Sequence, residues 1–311
     1  MKTVYNGYTQ EELDKQHNFG LLPYTPDGVI VKFSHRPKHM QQSARQNKSR
    51  SEEYLKLLKP QENIPYGEHP KQVFDLYKAE GDNTPCVIML SGGGFMRGRT
   101  KVWSQWSKKC IENGISFIDL DHPQISSQEE TILDDSVQPP STTLLDMIDN
   151  AERFIYWIRD ELPNYGIDPN RLILAGHSSG AGVLSTAVVR ISNAGDADGI
   201  RGLILLSGYY DFLGPSLSFR QKFLKFSPSE IIKCSAIRNI VRPLPPVLIG
   251  TGEETEEMIQ HANRFHEAIS WIGESEKVLF PTDHFGLGME LYDDKSKMWQ
   301  FITKKLAFGP N

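Results

Sequence analysis

The pentapeptide at residues 176–180, Gly-His-Ser-Ser-Gly, places Ser178 between two glycines and is the first feature of the sequence that could carry chemistry. Its G-x-S-x-G spacing is typical of a nucleophile elbow, a sharp turn between a strand and a helix that exposes the serine hydroxyl. Glycines leave room for such a turn, which holds the serine in strained backbone geometry. The pentapeptide alone is a weak signal, because about 0.2 chance matches are expected in a chain of this composition. An ordinary glycine-rich turn is the alternative interpretation.

The residues on either side of the pentapeptide strengthen the signal. The apolar run Arg171–Ala175 predicts a buried strand, and a helix is predicted from Ala181 to Arg190. A helix that begins directly after the serine directs its free N–H groups and the positive end of its dipole at a developing oxyanion. This strand–turn–helix setting is the one that an elbow requires, so we interpret Ser178 as a nucleophile.

A glycine cluster upstream could supply the oxyanion donors. Residues 91–95, Ser-Gly-Gly-Gly-Phe, directly follow the apolar run Cys86–Leu90, which predicts another buried strand. Backbone N–H groups in such a loop can point at the oxygen of a carbonyl under attack. A flexible linker is the alternative, but linkers rarely adjoin a buried strand and end in an aromatic residue. The two glycine motifs, each after a strand, therefore support each other.

A general base is expected downstream of the nucleophile. In serine hydrolases with this type of elbow, the order along the chain is serine, acid, histidine. His284 follows the last predicted strand, Lys277–Phe280, whereas His261 and His266 fall in a predicted helix. A lone loop histidine is most often a surface residue, but its position favours His284 as the group that accepts the Ser178 proton and returns it to the leaving group. We assign no catalytic role to His177.

Several carboxylates compete for the role of the acid. The predicted strand Val247–Ile249 leads into the acidic segment 250–257, which contains four glutamates. Glu256 and Glu257 suit the N-terminus of a helix, where negative charge is stabilised by the helix dipole. The residues alone do not choose between the two glutamates that precede them.

The elements that would position these residues alternate between strands and helices from about residue 72 onward. The remaining predicted strands are Gln72–Tyr77, Ile115–Leu120 and Gly202–Leu206, and the strand before the acidic segment extends over Pro246–Ile249. The remaining predicted helices are Val102–Asn113 and Ser141–Leu162. Continuous apolar strands separated by helices predict an α/β fold with a mostly parallel central sheet flanked by helices on both faces.

We predict a single domain over residues 1–311, with two additions to the sheet and its helices. Residues 1–60 are polar and would form an N-terminal cap segment, and the insertion 211–245 is too long for a plain connection and would form a lid. Aromatic residues of the lid suggest a substrate pocket for an aromatic or acyl group, and the candidate substrate-binding residues are Phe95, Phe219 and Phe223. Packing of the lid aromatics on each other is an equal alternative.

Composition limits the remaining classes of function. With 39% hydrophobic residues and a net charge of −5, the chain gives no general attraction to nucleic acid or to anionic membranes. The N-terminus lacks a signal-peptide pattern, and no apolar run is long enough to cross a bilayer. The three cysteines are widely spaced, which fits a reducing compartment. We expect a cytoplasmic protein with no metal, cofactor, nucleic-acid or membrane partner, and a homodimer is left open.

Several stretches of the chain resemble one known group of proteins. They are Leu13-Asp14-Lys15-Gln16-His17-Asn18, Tyr66-Gly67 before Asp75-Leu76-Tyr77, the glycine loop, Asp168-Pro169-Asn170-Arg171, Gly252-Glu253-Glu254-Thr255-Glu256-Glu257-Met258 and His284-Phe285. In these stretches the chain is similar to the kynurenine formamidase-like (arylformamidase-like) branch of the α/β-hydrolases, close to the hormone-sensitive-lipase-type esterases.

The resemblance implies further site residues. By position the acid would be Glu254, with Glu253 as the fallback, and the N–H groups of Gly93 or Gly94 and of Ser179 would form the oxyanion hole. The chain departs from the family pattern in its glycine loop, which begins with Ser91 instead of histidine and ends with Phe95 instead of tryptophan. It departs again at residues 119–123, where Asp-Leu-Asp-His-Pro replaces D-Y-R-L-x-P.

Together these features predict hydrolysis of a small-molecule ester or amide through an acyl-enzyme, with a Ser178–His284–Glu254 triad. Carboxylester hydrolysis and N-formyl aryl amide hydrolysis are both open. The alternatives are an acyltransferase or thioesterase-like tailoring enzyme on the same fold, and a non-catalytic ligand-binding homologue.

Overall fold

One eight-stranded sheet organises the computed structural model, which describes residues 2–18, 37–95, 101–125 and 142–307, except the side chain of Phe223. The strands are β1 (Gln61–Pro65), β2 (Val73–Tyr77), β3 (Thr84–Leu90), β4 (Ser116–Leu120), β5 (Ile167–His177), β6 (Ile200–Leu206), β7 (Val247–Thr251) and β8 (Ser275–Leu279). Their order across the sheet is β1-β2-β4-β3-β5-β6-β7-β8. The strands from β4 to β8 in this order are parallel, and β1 and β2 are antiparallel additions at one edge. The predicted mostly parallel sheet is confirmed.

The central strands are apolar on both faces because helices cover both. Strands β3, β4 and β7 are buried along their whole length. Two clusters of buried side chains, one on each side of the sheet, form the core. Burial on both faces removes the alternation of a half-exposed strand, which is why these segments read as continuous apolar runs in the sequence.

The helices follow the strands in the expected alternation. They are α1 (Gln10–His17), α2 (Lys38–Leu58), α3 (Trp106–Glu112), α4 (Leu144–Glu161), α5 (Ser179–Ala194), α6 (Leu213–Leu217), α7 (Gln221–Leu224), α8 (Pro228–Cys234), α9 (Glu256–Ser270) and α10 (Lys297–Leu306). Helix α4 begins at a capping box in which the Thr143 side chain accepts from the Asp146 N–H. Within the described residues, no helix is both long and apolar enough to cross a membrane.

The N-terminal segment and the insertion 211–245 contact each other. The Phe219 N–H donates to Asp14 Oδ1 at 2.6 Å, and the Arg220 guanidinium donates to the His17 carbonyl from two nitrogens. Helix α1 also contacts α9, where Thr255 donates to the Gln16 carbonyl at 2.9 Å. These bonds join parts of the chain that are more than 200 residues apart. The division into a cap segment and a lid stays a prediction.

Candidate active site

Ser178 occupies the turn between β5 and α5. Its φ of 55° and ψ of −125° are strained for a residue with a side chain. The turn lies against the end of β3, and a Cβ built on Gly180 would be 2.3 Å from the Leu90 carbonyl oxygen. Only glycine fits this close approach. The geometry is therefore that of the predicted elbow, with Ser178 at the N-terminus of the 16-residue helix α5.

Parallel strands bring the remaining candidates to the same edge of the sheet. The glycine loop follows β3, Ser178 follows β5, Ser207 follows β6, and the acidic segment follows β7. All four strands are neighbours in the sheet, so their carboxyl ends meet. This is the edge at which ligands bind in α/β folds.

His284 and Glu254 lie together under this edge. Nδ1 of His284 is 3.2 Å from Oε2 of Glu254, and the two side chains are 4% and 1% exposed. The loops that carry them are joined by a hydrogen bond of 2.6 Å from the Glu253 N–H to the Thr282 carbonyl. Glu253 itself is exposed. The structure thus brings Glu254, and not Glu253, to the imidazole.

Ser207 is a member of the site that the sequence analysis missed. Its hydroxyl donates to Oε1 of Glu254, and the Gly252 N–H approaches the same oxygen at 3.4 Å. Through this bond Ser207 helps to hold the Glu254 carboxylate in place. The available signal was its position directly after the buried strand β6, at the end where functional residues gather.

The His284 loop is anchored by the N-terminal helix α2. Oδ1 of Asp283 accepts from the backbone N–H groups of Phe285 and Gly286 at 2.8 and 3.0 Å. Ser43 of α2 donates to the other oxygen of Asp283 at 2.7 Å, and Asn47 of α2 donates to the Phe285 carbonyl. The polar N-terminal segment therefore helps to hold the candidate base in place.

The glycine loop contacts the elbow, and one of its backbone N–H groups is already used in that contact. The Gly93 N–H donates to Oγ of Ser179 at 3.0 Å. Gly94 has a positive φ of 66°, and so does Phe95 at 69°, which is rare for a residue with a Cβ. The loop therefore has the close contact with α5 that an oxyanion loop needs, with the Gly93 N–H already used for that contact.

The predicted pocket aromatics pack tightly. Phe95 is fully buried, and its ring centroid is 5.6 Å from that of Phe212 and 6.2 Å from that of Phe226. Phe219 is buried as well. The side chain of Phe223 lies outside the described residues. Packing of the lid aromatics on each other is thus observed, and a role of Phe95, Phe219 or Phe223 in substrate binding stays a prediction.

Several buried histidines of the chain are held neutral. Burial lowers the pKa of His17 well below its usual value, with Arg220 and His261 adding to the shift. Burial likewise lowers the pKa of His261, and that of His122, to about 4. In the part of the chain that the structure describes, no group of three or more histidine, cysteine or acidic side chains is placed to share a metal ion.

Comparison with known proteins agrees with the fold described above. A family model for the α/β-hydrolase fold matches residues 137–243. The chain is 23% identical over 275 residues to a probable isoprenylcysteine alpha-carbonyl methylesterase of Arabidopsis thaliana, covering 79% of this chain and 52% of that protein. The chain spans about half the length of the curated relatives it matches.

Solved structures with the same architecture cover most of the chain. A putative thioesterase from Silicibacter superposes with a TM-score of 0.72 at 16% identity, covering 90% of this chain and 100% of that one. The thermostable carboxylesterase EstE1, cloned from a metagenomic library, gives a TM-score of 0.65 at 16% identity, covering 89% of this chain and 100% of that one. These likenesses establish the fold.

Proposed function

The chain has the α/β-hydrolase fold, and from this premise we propose that it is a serine hydrolase that cleaves a small-molecule ester through an acyl-enzyme. The observation that carries the proposal is the strained Ser178 at the head of α5, at the edge of the sheet where the buried His284–Glu254 pair also lies. Strain of this kind persists where the surrounding fold enforces it, and it clusters at reactive residues.

The proposed reaction has two halves. The Ser178 hydroxyl oxygen attacks the carbonyl carbon while His284 Nε2 accepts its proton, and Glu254 stabilises the resulting imidazolium through Nδ1. The tetrahedral intermediate then expels the alcohol, which leaves with the proton held by His284. A water molecule attacks the acyl-enzyme with the same base, and the acid product leaves a free serine. The acyl-enzyme divides one difficult displacement into two easier steps.

The oxyanion would be held by backbone donors. The N–H groups of Ser179 and Gly94 are the proposed pair, since donors fixed before the reaction stabilise the developing charge without reorganisation. The Gly93 N–H donates to the Ser179 hydroxyl in this structure. It could donate to the oxyanion only after that hydrogen bond breaks.

An ester is favoured over an amide as the substrate. The relatives reported above carry the names of a methylesterase, a thioesterase and a carboxylesterase. The glycine loop also departs from the arylformamidase pattern at Ser91 and Phe95. N-formyl aryl amides are therefore the second substrate class. A cytoplasmic location and the absence of nucleic-acid and membrane partners stay predictions.

A fluorophosphonate probe and p-nitrophenyl acetate test the proposal. Wild-type protein should be labelled at Ser178 and should turn over the ester, and Ser178→Ala should lose both. Ser185→Ala is the matched control, because Ser185 is a buried serine of α5 whose hydroxyl donates to the Gly182 carbonyl within that helix. Absence of both labelling and turnover in the wild-type protein would support a non-catalytic binding protein instead.

Substrate preference needs a second comparison. Short-chain p-nitrophenyl esters and N-formylkynurenine, compared by kcat/KM, separate an esterase from a formamidase, and we expect the esters to react faster. Adding an alcohol acceptor to the ester reaction tests acyl transfer, because a transferase would form the new ester in place of the free acid.

A further inference from the structure

His177, the residue before the candidate nucleophile, contacts the candidate base directly. Its Nε2 lies 2.9 Å from the carbonyl oxygen of His284. The two imidazole rings are 4.5 Å apart between centroids, and the Trp103 ring lies 4.9 Å from the ring of His177. His177 is 6% exposed and Trp103 is 4% exposed, so the imidazole is enclosed between the two rings.

The hydrogen bond fixes the protonation of His177. A carbonyl oxygen only accepts, so Nε2 must carry the hydrogen. Burial, together with the nearby His284, lowers the pKa of His177 well below its usual value, so the ring stays neutral with its proton on Nε2. A neutral neighbour adds no repulsion when the base takes up a proton during the reaction, whereas a cation at this distance would oppose it.

We propose that His177 is a positioning residue that holds His284 in register with Ser178. The bond joins the last residue of β5 to the backbone of the residue that would accept the Ser178 proton. Nucleophile and base come from segments more than 100 residues apart in the chain, so their alignment depends on contacts that cross between the two segments. This proposal rests on the proposed function.

Two substitutions separate the hydrogen bond from the packing of the ring. His177→Gln keeps an N–H donor near the position of Nε2 and loses the ring, whereas His177→Phe keeps a ring between Trp103 and His284 and loses the donor. Misplacement of a catalytic group by about 1 Å can reduce the rate by about 100-fold. We therefore expect His177→Phe to lower kcat for p-nitrophenyl acetate by about 10- to 100-fold with KM within about twofold. His177→Gln should retain kcat within about threefold.

Controls distinguish the failure modes. Both variants are first shown to be folded by thermal unfolding, and their active sites are counted with the fluorophosphonate probe. Equal losses of kcat in the two variants, or an unchanged kcat in His177→Phe, would overturn the positioning role while the wild-type activity upholds the proposed function. If the wild-type protein neither reacts with the probe nor turns over the ester, the proposed function fails and the positioning role fails with it.

A spectroscopic measurement tests the tautomer independently of activity. In the ¹⁵N-labelled protein, two-bond nitrogen–proton correlations should show His177 protonated on Nε2 and bare on Nδ1. This signal is assigned by its absence from His177→Gln. A proton on Nδ1 would contradict the donated bond and overturn the proposal.

Discussion

Glu253 and Glu254 are adjacent in the chain, but the fold places them in different environments. Glu254 has its carboxylate 3.2 Å from His284 Nδ1 and 1% exposed, whereas Glu253 is exposed and contributes its backbone N–H to the loop contact. In the proposed mechanism, the carboxylate beside Nδ1 fixes the orientation of the base and stabilises the imidazolium that forms. The two residues therefore make a matched pair for testing the acid.

We predict that Glu254→Gln lowers kcat for p-nitrophenyl acetate by about 100- to 10,000-fold, because the amide retains the shape of the side chain and loses its charge. Glu253→Gln should stay within about twofold of wild type. Steady-state kinetics on both variants, after confirmation that each is folded, gives the comparison. The reverse order of effects would assign the acid to Glu253.

At the residue scale, residues that belong to a sequence motif could be predicted, whereas residues that meet only in the folded structure could not. Ser178 and His284 are candidates because of the elbow motif and the position of the last strand, and their roles stay predictions. Ser207 could not be proposed from the sequence, because a single serine after a strand has no pattern and its partner is 47 residues further along the chain. The choice of Glu254 over Glu253 depended on family resemblance, since burial of one carboxylate is not visible in the acidic run.

At the scale of elements, the elbow depends on how closely α5 approaches β3. A methyl group at position 180 would meet the backbone oxygens of Leu90 and Ser91 at 2.3 and 2.8 Å, and backbone atoms of a central strand cannot move aside cheaply. Gly273 offers a contrast, because a Cβ there would have its nearest neighbour at 3.6 Å.

We predict that Gly180→Ala lowers the free energy of unfolding by more than about 2 kcal/mol and lowers kcat by more than about tenfold, because α5 must shift away from β3. Gly273→Ala should change stability by less than about 1 kcal/mol and leave kcat unchanged. Urea unfolding and ester turnover measure both effects. Gly180→Ala with wild-type stability and activity would show that the close approach is not needed.

The helices and strands could be predicted where burial leaves an apolar pattern in the sequence. The inner strands read as apolar runs because both of their faces are covered, and their order of alternation with helices gives the fold class. Strand β1, with the sequence Gln-Glu-Asn-Ile-Pro, was missed because it is almost wholly exposed at the sheet edge and has no apolar pattern. Helix α3 begins at Trp106 instead of the predicted Val102, since residues 102–105 form turns before it.

At the scale of the whole molecule, the contacts of the N-terminal segment are the part that the sequence could not predict. Helix α1 reaches the insertion through bonds that span more than 200 residues, such as that from Phe219 to Asp14. Helix α2 reaches the His284 loop through Ser43 and Asn47. Hydropathy patterns report the local environment of a segment and not its distant partner, so the prediction of a cap segment over residues 1–60 did not include the residues that it contacts.

Buried neutral histidines give the whole molecule an expected acid sensitivity. The pKa of His261 is lowered by burial from 6.5 to about 4, and the pKa values of His17, His122 and His177 are lowered for the same reason. Below pH 6.5 the histidines of the unfolded chain bind protons, whereas the buried histidines of the folded chain stay neutral until the pH reaches their lowered pKa values. The stability that these residues contribute is therefore complete above their pKa in the unfolded chain. It is lost as the pH falls from there through their pKa in the folded chain.

We predict that the free energy of unfolding falls between about pH 6.5 and pH 4, by up to about 1.4 kcal/mol per pH unit for each such histidine. His261→Gln should reduce the slope of this pH dependence by the contribution of one histidine, because the amide side chain does not titrate. Urea unfolding of both proteins at a series of pH values measures the slopes, and the difference near pH 7 gives the pH-independent cost of the substitution itself. Parallel curves across the acid range would mean that His261 binds the same number of protons in the folded and unfolded chains, contrary to its burial beside Arg264 in α9.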